Sequence, residues 1–395
     1  MPKYASFFFR TSDDEKNHFR AIMLAFAALG FHVGVWAVLL ADLARSLGLG
    51  PGALGVALTC QSAAGVAALL VGGRLADRFG RRPVLVVGVA MTGVYLALLA
   101  LVESYAALLA VLTFSGMVSM YDLACNSLGG DYERQHGKKA MTLFHAGFSG
   151  AAALGALGSG AALSLGIAFG TIFVFTGAAL LVLSVAALRM PLPRRVVEAD
   201  DGGGGGASRS MFALLRVPAV FACVAVVFMC FSTDAALEGY TSIYLRDFLG
   251  AGALLGGAGL ASLYFAGAMS RLFGAAAILR FGERKVLFSS GLIAALGLGV
   301  VVATDAPTVA AVGLLLVGVA LAPVAPIVFS VTAQAAPGQS GRAISLVTAS
   351  GYFAFTLSPI VVGGIADVSS LRVSFALLLA LCVGISAFSR RMPMK

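Results

Sequence analysis

Residues 140–188 read AMTLFHAGFSGAAALGALGSGAALSLGIAFGTIFVFTGAALLVLSVAAL, a run without a single Asp, Glu, Lys or Arg. A membrane-spanning helix needs about 20 apolar residues, and a spanning strand shows about 10 in alternation. This run does not alternate. It is too long for one helix and suits two, with a turn near Gly166-Ile-Ala-Phe-Gly170. The rest of the chain has the same character: of 395 residues 59% are hydrophobic and 11% charged, and the mean hydropathy is +0.96. Soluble domains carry about 25% charge, and disordered chains are poor in apolar residues, so both classes are excluded. Composition predicts an all-α integral membrane protein.

Apolar runs bounded by charges or Gly/Pro turns predict twelve transmembrane helices, centred in 21–43, 53–73, 83–101, 104–128, 141–165, 168–188, 219–245, 252–279, 286–304, 307–333, 343–366 and 371–389. One long polar stretch interrupts them. It holds Asp200-Asp201 and five glycines, Gly202 to Gly206, the composition of a flexible tether. The expected organisation is a six-helix N-terminal bundle (1–190), a cytoplasmic linker (191–216) and a six-helix C-terminal bundle (217–395). The halves look related. Arg78-Phe79-Gly80 before Val84-Leu85 returns as Arg280-Phe281-Gly282 before Val286-Leu287, and Leu47-Gly48 returns as Leu249-Gly250, both at an offset of 202. Two pseudo-symmetric bundles that rock around a midplane site are the expectation for such a repeat.

Basic residues set the expected orientation. Of the 27 Lys and Arg, three (Arg45, Arg246 and Arg372) fall in outer loops and Arg271 lies inside a helix. The other 23 fall in segments on the side of the N-terminus. Both termini are therefore expected to be cytoplasmic in a multi-pass protein of the bacterial inner membrane, and the net charge of +9 reads as an insertion signal, with no nucleic-acid partner. Residues 1–20 hold no short apolar stretch ahead of a cleavage site, so the first apolar run is expected to stay as a helix. Cys60, Cys125, Cys223, Cys230 and Cys382 are scattered through apolar segments and read as core residues rather than disulfides or metal ligands. The glycine run carries no Lys-Ser/Thr and is no phosphate loop. No metal and no cofactor are expected.

Between the second and third runs stands Gly73-Arg74-Leu75-Ala76-Asp77-Arg78-Phe79-Gly80-Arg81-Arg82. It resembles the signature loop of the major facilitator superfamily, and the layout of the whole chain resembles that family too. The resemblance implies a conformational latch built on Gly73, Asp77, Arg78, Gly80 and Arg81, in which Asp77 faces a helix N-terminus of the other half; a carboxylate is favoured there. The second-half copy has Leu279 where Asp77 stands. Asp122-Leu-Ala-Cys-Asn126, Phe144-His145-Ala-Gly-Phe148-Ser149, Tyr240-Thr-Ser-Ile-Tyr244-Leu245-Arg246-Asp247 and Ser270-Arg271-Leu272 look like the fucose-permease-like branch of sugar/proton symporters. On helix seven this chain departs from that branch, reading Asp234-Ala and Gly239-Tyr240 with an additional Glu238.

Charge inside a membrane is costly and marks function. Asp122, Asp234, Glu238 and Arg271 lie well within predicted spans. Asp122 and Asn126 share one face of their helix, as do Asp234 and Glu238. Two ionised carboxylates so placed repel, unless one holds a proton or Arg271 neutralises it. Asp122, Asp234 and Glu238 are thus candidates for proton coupling, or else structural acids. Candidates for substrate binding are His32, Trp36, Gln61, Asn126, His145, Tyr240 and Arg271; for Arg271 the alternative is a side chain that simply reaches the interface. Pro323, Pro326 and Pro359 are expected to kink helices ten and eleven.

The expected function is secondary transport, not catalysis: a small polar, sugar-like solute moved by alternating access in symport with protons. The expected partners are that substrate, protons and the lipid bilayer, with the chain working as a monomer. The alternative is a proton-antiport exporter of drugs or metabolites, against which Gly147 to Gly160 is glycine-rich but has no proline. A membrane enzyme would need a nucleophile or metal cluster that four scattered His and five unpaired Cys do not offer.

Overall fold

The computed structural model describes residues 12–194, 211–336 and 338–392. The glycine run, Asp200-Asp201 and most of the predicted linker lie outside them. Among the described residues twelve helices are long and apolar enough to cross a membrane: α1 Asp13–Ser46, α2 Pro51–Phe79, α3 Arg81–Leu99, α4 Tyr105–His136, α5 Met141–Ser164, α6 Phe169–Ala187, α7 Pro218–Phe248, α8 Ala253–Phe281, α9 Glu283–Ala303, α10 Pro307–Ala335, α11 Ser340–Val368 and α12 Leu371–Ser389. The charge-free run 140–188 forms the pair α5–α6, turning at Gly166 with φ +83°.

Local chemistry sets the helix ends. Ser12, Ser104 and Ser370 cap α1, α4 and α12 by accepting backbone N–H bonds, and Pro51, Pro218 and Pro307 open α2, α7 and α10, where a missing N–H costs nothing. Two midpoints break as a pair: α4 at Gly116-Met117 and α10 at Ala322-Pro323. Helix α4 continues to His136, past the predicted end at 128, because its polar last turns are internally satisfied. Asp131 is fully buried and pairs with Arg134 (2.6 Å) and Arg81 (3.4 Å). Glu133 Oε1 accepts from the N–H groups of Ala140 (2.5 Å) and Met141 (2.8 Å), capping α5.

The repeat is written in the backbone. Left-handed glycines occur at equivalent turns, Gly48 with Gly250 and Gly80 with Gly282, conformations that residues with a Cβ resist. Gly80 and Gly282 are each the whole turn between two helices, and in both Arg-Phe-Gly copies the Arg lies over the Phe ring, at 5.1 and 5.2 Å. Packing repeats as well. In the first half α1 lies on α5, α3 on α6 and α2 on α4; in the second α7 lies on α11, α9 on α12 and α8 on α10.

The bundles meet along α5–α8, α2–α11 and α1–α7. At the α5–α8 crossing the backbones touch: a Cβ on Gly160 would sit 2.7 Å from Ala253 O, and one on Gly257 would sit 2.5 Å from Ala156 O. Polar contacts between bundles gather at one end. Arg246 grips Asp42 with both terminal nitrogens, at 2.5 and 2.9 Å; Arg45 reaches Asp247 at 3.4 Å; and the N–H of Gly52, at the start of α2, donates to Asp367 of α11 at 2.9 Å. The Tyr240 hydroxyl shares its proton between Pro51 O (2.9 Å) and Pro359 O (3.0 Å), within the α11 turn that Pro359 occupies. Among the described residues the polar seal between the bundles thus lies at the Asp42–Arg246 end.

Candidate functional site

The interior between the bundles holds two adjoining chambers. The first, about 290 Å³, is lined by Trp36 of α1, Gln61 and Ser62 of α2, Ser115, Ser119 and Asp122 of α4, and Glu238 of α7. The second, about 250 Å³, is lined by Ser149 of α5, Asp234 and Glu238 of α7, and Tyr264 and Arg271 of α8. Phe148, Glu238 and Phe355 belong to both, so two aromatic rings and one carboxylate form the septum. Both volumes sit at the lower edge of small-ligand cavities.

Asp234 and Glu238 are brought to one wall by their spacing of four on α7. Asp122 is held by its helical neighbour, with Asn126 Nδ2 donating to Asp122 Oδ1 at 2.9 Å. Asn126 therefore orients the acid from behind and is absent from the lining of either chamber. Glu238 makes no hydrogen bond or ion pair among the described residues. Arg271 does not run to the interface, the alternative its sequence position left open. Its Nη1 crosses between bundles and donates to Ser149 Oγ at 2.7 Å, and no carboxylate stands at ion-pair distance from it among the described residues.

Three further candidates lie elsewhere. His32 is 2% exposed, sets its ring edge-on to Tyr95 at 6.2 Å, and has an unpartnered Nδ1. It matches Asp234 in register, since 48 − 32 and 250 − 234 both give 16 from the paired turn glycines. Its ring is nonetheless buried within the first bundle rather than between bundles. His145 lies edge-on to Phe26 at 5.2 Å and lines neither chamber. Tyr240 belongs to the sealed end. In the signature loop, Asp77 is 66% exposed and pairs with Arg81 at 3.6 Å; Arg81 in turn reaches Asp131. Arg78 lies over the Phe79 ring, Gly80 makes the turn with φ +90°, and Gly73 has open space beside it.

Sequence reasoning missed Ser62, Ser115, Ser119 and the septum rings, because a serine or phenylalanine in an apolar helix carries no signal of its own. It also missed the seal. Asp42 and Arg246 were legible as opposite charges at the same ends of the first helix of each half, a pairing that the repeat could have suggested.

Among the described residues no group of three His, Cys, Asp or Glu side chains could hold a metal. A cavity walled by carboxylates, a guanidinium and hydroxyls can bind a polar solute and protons.

The sequence pattern of the Major Facilitator Superfamily matches residues 21–278 and 259–392. A similar curated protein is an uncharacterized MFS-type transporter of Yersinia pestis, 28% identical over 368 residues that cover 93% of this chain and 94% of that one. Among solved structures, a bacterial homolog of the human lysosomal transporter Spinster, in an inward-facing and unoccupied conformation, aligns with TM-score 0.78 at 14% identity over 97% of this chain and 98% of that one. A nucleoside transporter, NupG, aligns with TM-score 0.71 at 15% identity over 94% and 99%.

Proposed function

The chain belongs to the Major Facilitator Superfamily of secondary transporters, and we propose that it moves a small polar solute by alternating access, coupled to protons in symport. The observation that carries this reading is Glu238, an intramembrane carboxylate that makes no ion pair among the described residues and borders both chambers. A carboxylate that alternates between a wet cavity and a dry enclosure binds and releases a proton, because desolvation disfavours its charge. Asp122 borders the first chamber and Asp234 the second, so a proton and a solute can be held side by side and each can stabilise the other's binding. The motif resemblance of α4, α5 and α8 to fucose-permease-like symporters supports uptake over export. With both termini cytoplasmic in a bacterial inner membrane, as the 23-to-3 distribution of basic residues favours, the sealed end faces outward and the cavity opens inward. Asp77 then serves as the inner latch when the cavity closes on that side.

The test uses purified protein in proteoliposomes loaded with a pH-sensitive dye, screened with single solutes for solute-induced proton entry. For a solute that gives a signal, Asp122→Asn, Asp234→Asn and Glu238→Gln are compared in accumulation and in counterflow. At least one variant is expected to lose accumulation driven by a pH gradient yet keep counterflow, since exchange needs no net proton release. Retention of wild-type accumulation by all three would rule out coupling through these acids.

A further inference from the structure

The second chamber is not walled like a neutral-sugar site. It presents a guanidinium, two carboxylates and two hydroxyl-bearing side chains, Ser149 and Tyr264, within about 250 Å³. Were Arg271 there only to neutralise the acids, the two signs would meet, because an unpaired charge inside a membrane is costly and pairing is the cheapest remedy. Arg271 instead donates to Ser149 of the opposite bundle, and Glu238 makes no hydrogen bond or ion pair among the described residues. Asp234, which Arg271 reaches only through space and not at ion-pair distance, accepts only from the weak thiol of Cys230 at 3.9 Å among the described residues. The Tyr264 hydroxyl is also without a hydrogen-bond partner. Positive and negative groups are therefore held apart across one small space, complementary to a solute that carries both signs.

We infer that the second chamber binds a small zwitterion, its carboxylate at Arg271 and its ammonium at Asp234 and Glu238. The inference rests on the reading of this cavity as the transport site. A guanidinium offers several N–H donors in a plane and suits a carboxylate, with the Ser149 hydroxyl beside it. An ammonium against the α7 wall relieves the repulsion between Asp234 and Glu238. Because Glu238 also borders the first chamber, a cation in the second is felt where Asp122 and Trp36 stand. The departure of α7 from the fucose-permease-like pattern, with Asp234 and an additional Glu238, falls at this wall.

Trp36 is the only tryptophan of the chain. It lines the first chamber, and its Nε1 is unpartnered, so its emission reports cavity occupancy. Purified protein is titrated with glycine betaine and the non-aromatic L-α-amino acids, with the matching amines and carboxylates alone, and with L-fucose. At least one zwitterion is expected to give a saturable change, and its amine and carboxylate halves are expected to bind roughly tenfold or more weakly. Arg271→Gln should weaken that zwitterion roughly ten- to hundredfold, and Arg271→Lys should recover part of the loss; helicity and monodispersity check that each variant is folded. Absence of a response to every zwitterion, in Trp36 emission and in calorimetric titration alike, overturns the inference. So does a saturable response to L-fucose that Arg271→Gln leaves unchanged. The latter result, joined to pH-driven uptake of L-fucose, would leave proton-coupled transport standing; a bound zwitterion that a pH gradient does not accumulate would support the site and sink the coupling.

Discussion

Asp42→Asn isolates the electrostatic part of the outer seal. The substitution keeps size and shape but removes the charge that both terminal nitrogens of Arg246 grip at 2.5 and 2.9 Å and that Arg45 meets at 2.8 Å. The side chains of Arg246 and Asp42 are only 7% and 15% exposed, so the pair exceeds the 0–1 kcal/mol of exposed ion pairs. It remains below the 3–5 kcal/mol of fully buried ones. A loss of about 2–3 kcal/mol follows, in line with charge-assisted hydrogen bonds. The pair exists only with the outer end shut, so the whole loss moves the balance toward the outward-open form, by roughly 30- to 140-fold. The assay places Ser62→Cys, a near-isosteric reporter lining the first chamber, in a background with the five native cysteines replaced. Labelling by an impermeant maleimide from outside intact cells then counts outer openings. The labelling rate should rise by tens of fold with Asp42→Asn. A rate within twofold of the parent would refute the assignment of the seal to this pair.

Tyr240→Phe removes a hydroxyl whose one proton is shared between two carbonyls, worth about 0.5–1.5 kcal/mol in all; the same labelling rate should rise only several-fold. Asp131→Ala leaves Arg81 and Arg134 facing a buried site without its acid. Because those arginines keep some access to water, the cost should be about 2–4 kcal/mol, read as a lower thermal midpoint in detergent with ligand affinity unchanged. Asp77→Asn should leave insertion intact and disfavour the outward-open form by about 1.5–3 kcal/mol, seen as faster labelling of Ser62→Cys from the cytoplasmic side of inverted vesicles. An unchanged ratio would reduce Asp77 to a determinant of topology.

What the residues disclosed and what they concealed divides along a physical line. Hydropathy, Arg-Phe-Gly and Leu-Gly are properties of short segments, so the twelve spans, the α5–α6 turn at Gly166 and the repeat register could be read directly. The far end of α4 could not, because hydropathy treats Asp131 as a surface residue while the fold buries it between two arginines. The direction of a side chain was equally hidden. Polarity at matched depth made His32 look like the partner of Asp234, yet a polar residue can face its own bundle as easily as the cavity, and His32 faces Tyr95. Contacts such as Gly52 with Asp367 join residues 315 apart in the chain, and no local pattern announces them.

The glycine crossing of α5 and α8 has a kinetic consequence. Where Gly160 and Gly257 let two backbones lie directly against each other, there are no interlocking side chains to act as teeth, so one bundle can roll on the other like a smooth bearing. The activation barrier to rolling then resides in the ionic clasp at the rim and in the Arg271–Ser149 bond along the same helix pair, rather than in the glycine contact. Exchange between the two faces should accordingly quicken modestly as ionic strength rises, since salt weakens the partly exposed Arg45–Asp247 pair more than the mostly buried Asp42–Arg246 pair while leaving backbone van der Waals contact untouched. An alanine at either glycine would have the opposite signature, a slower cycle with little dependence on salt.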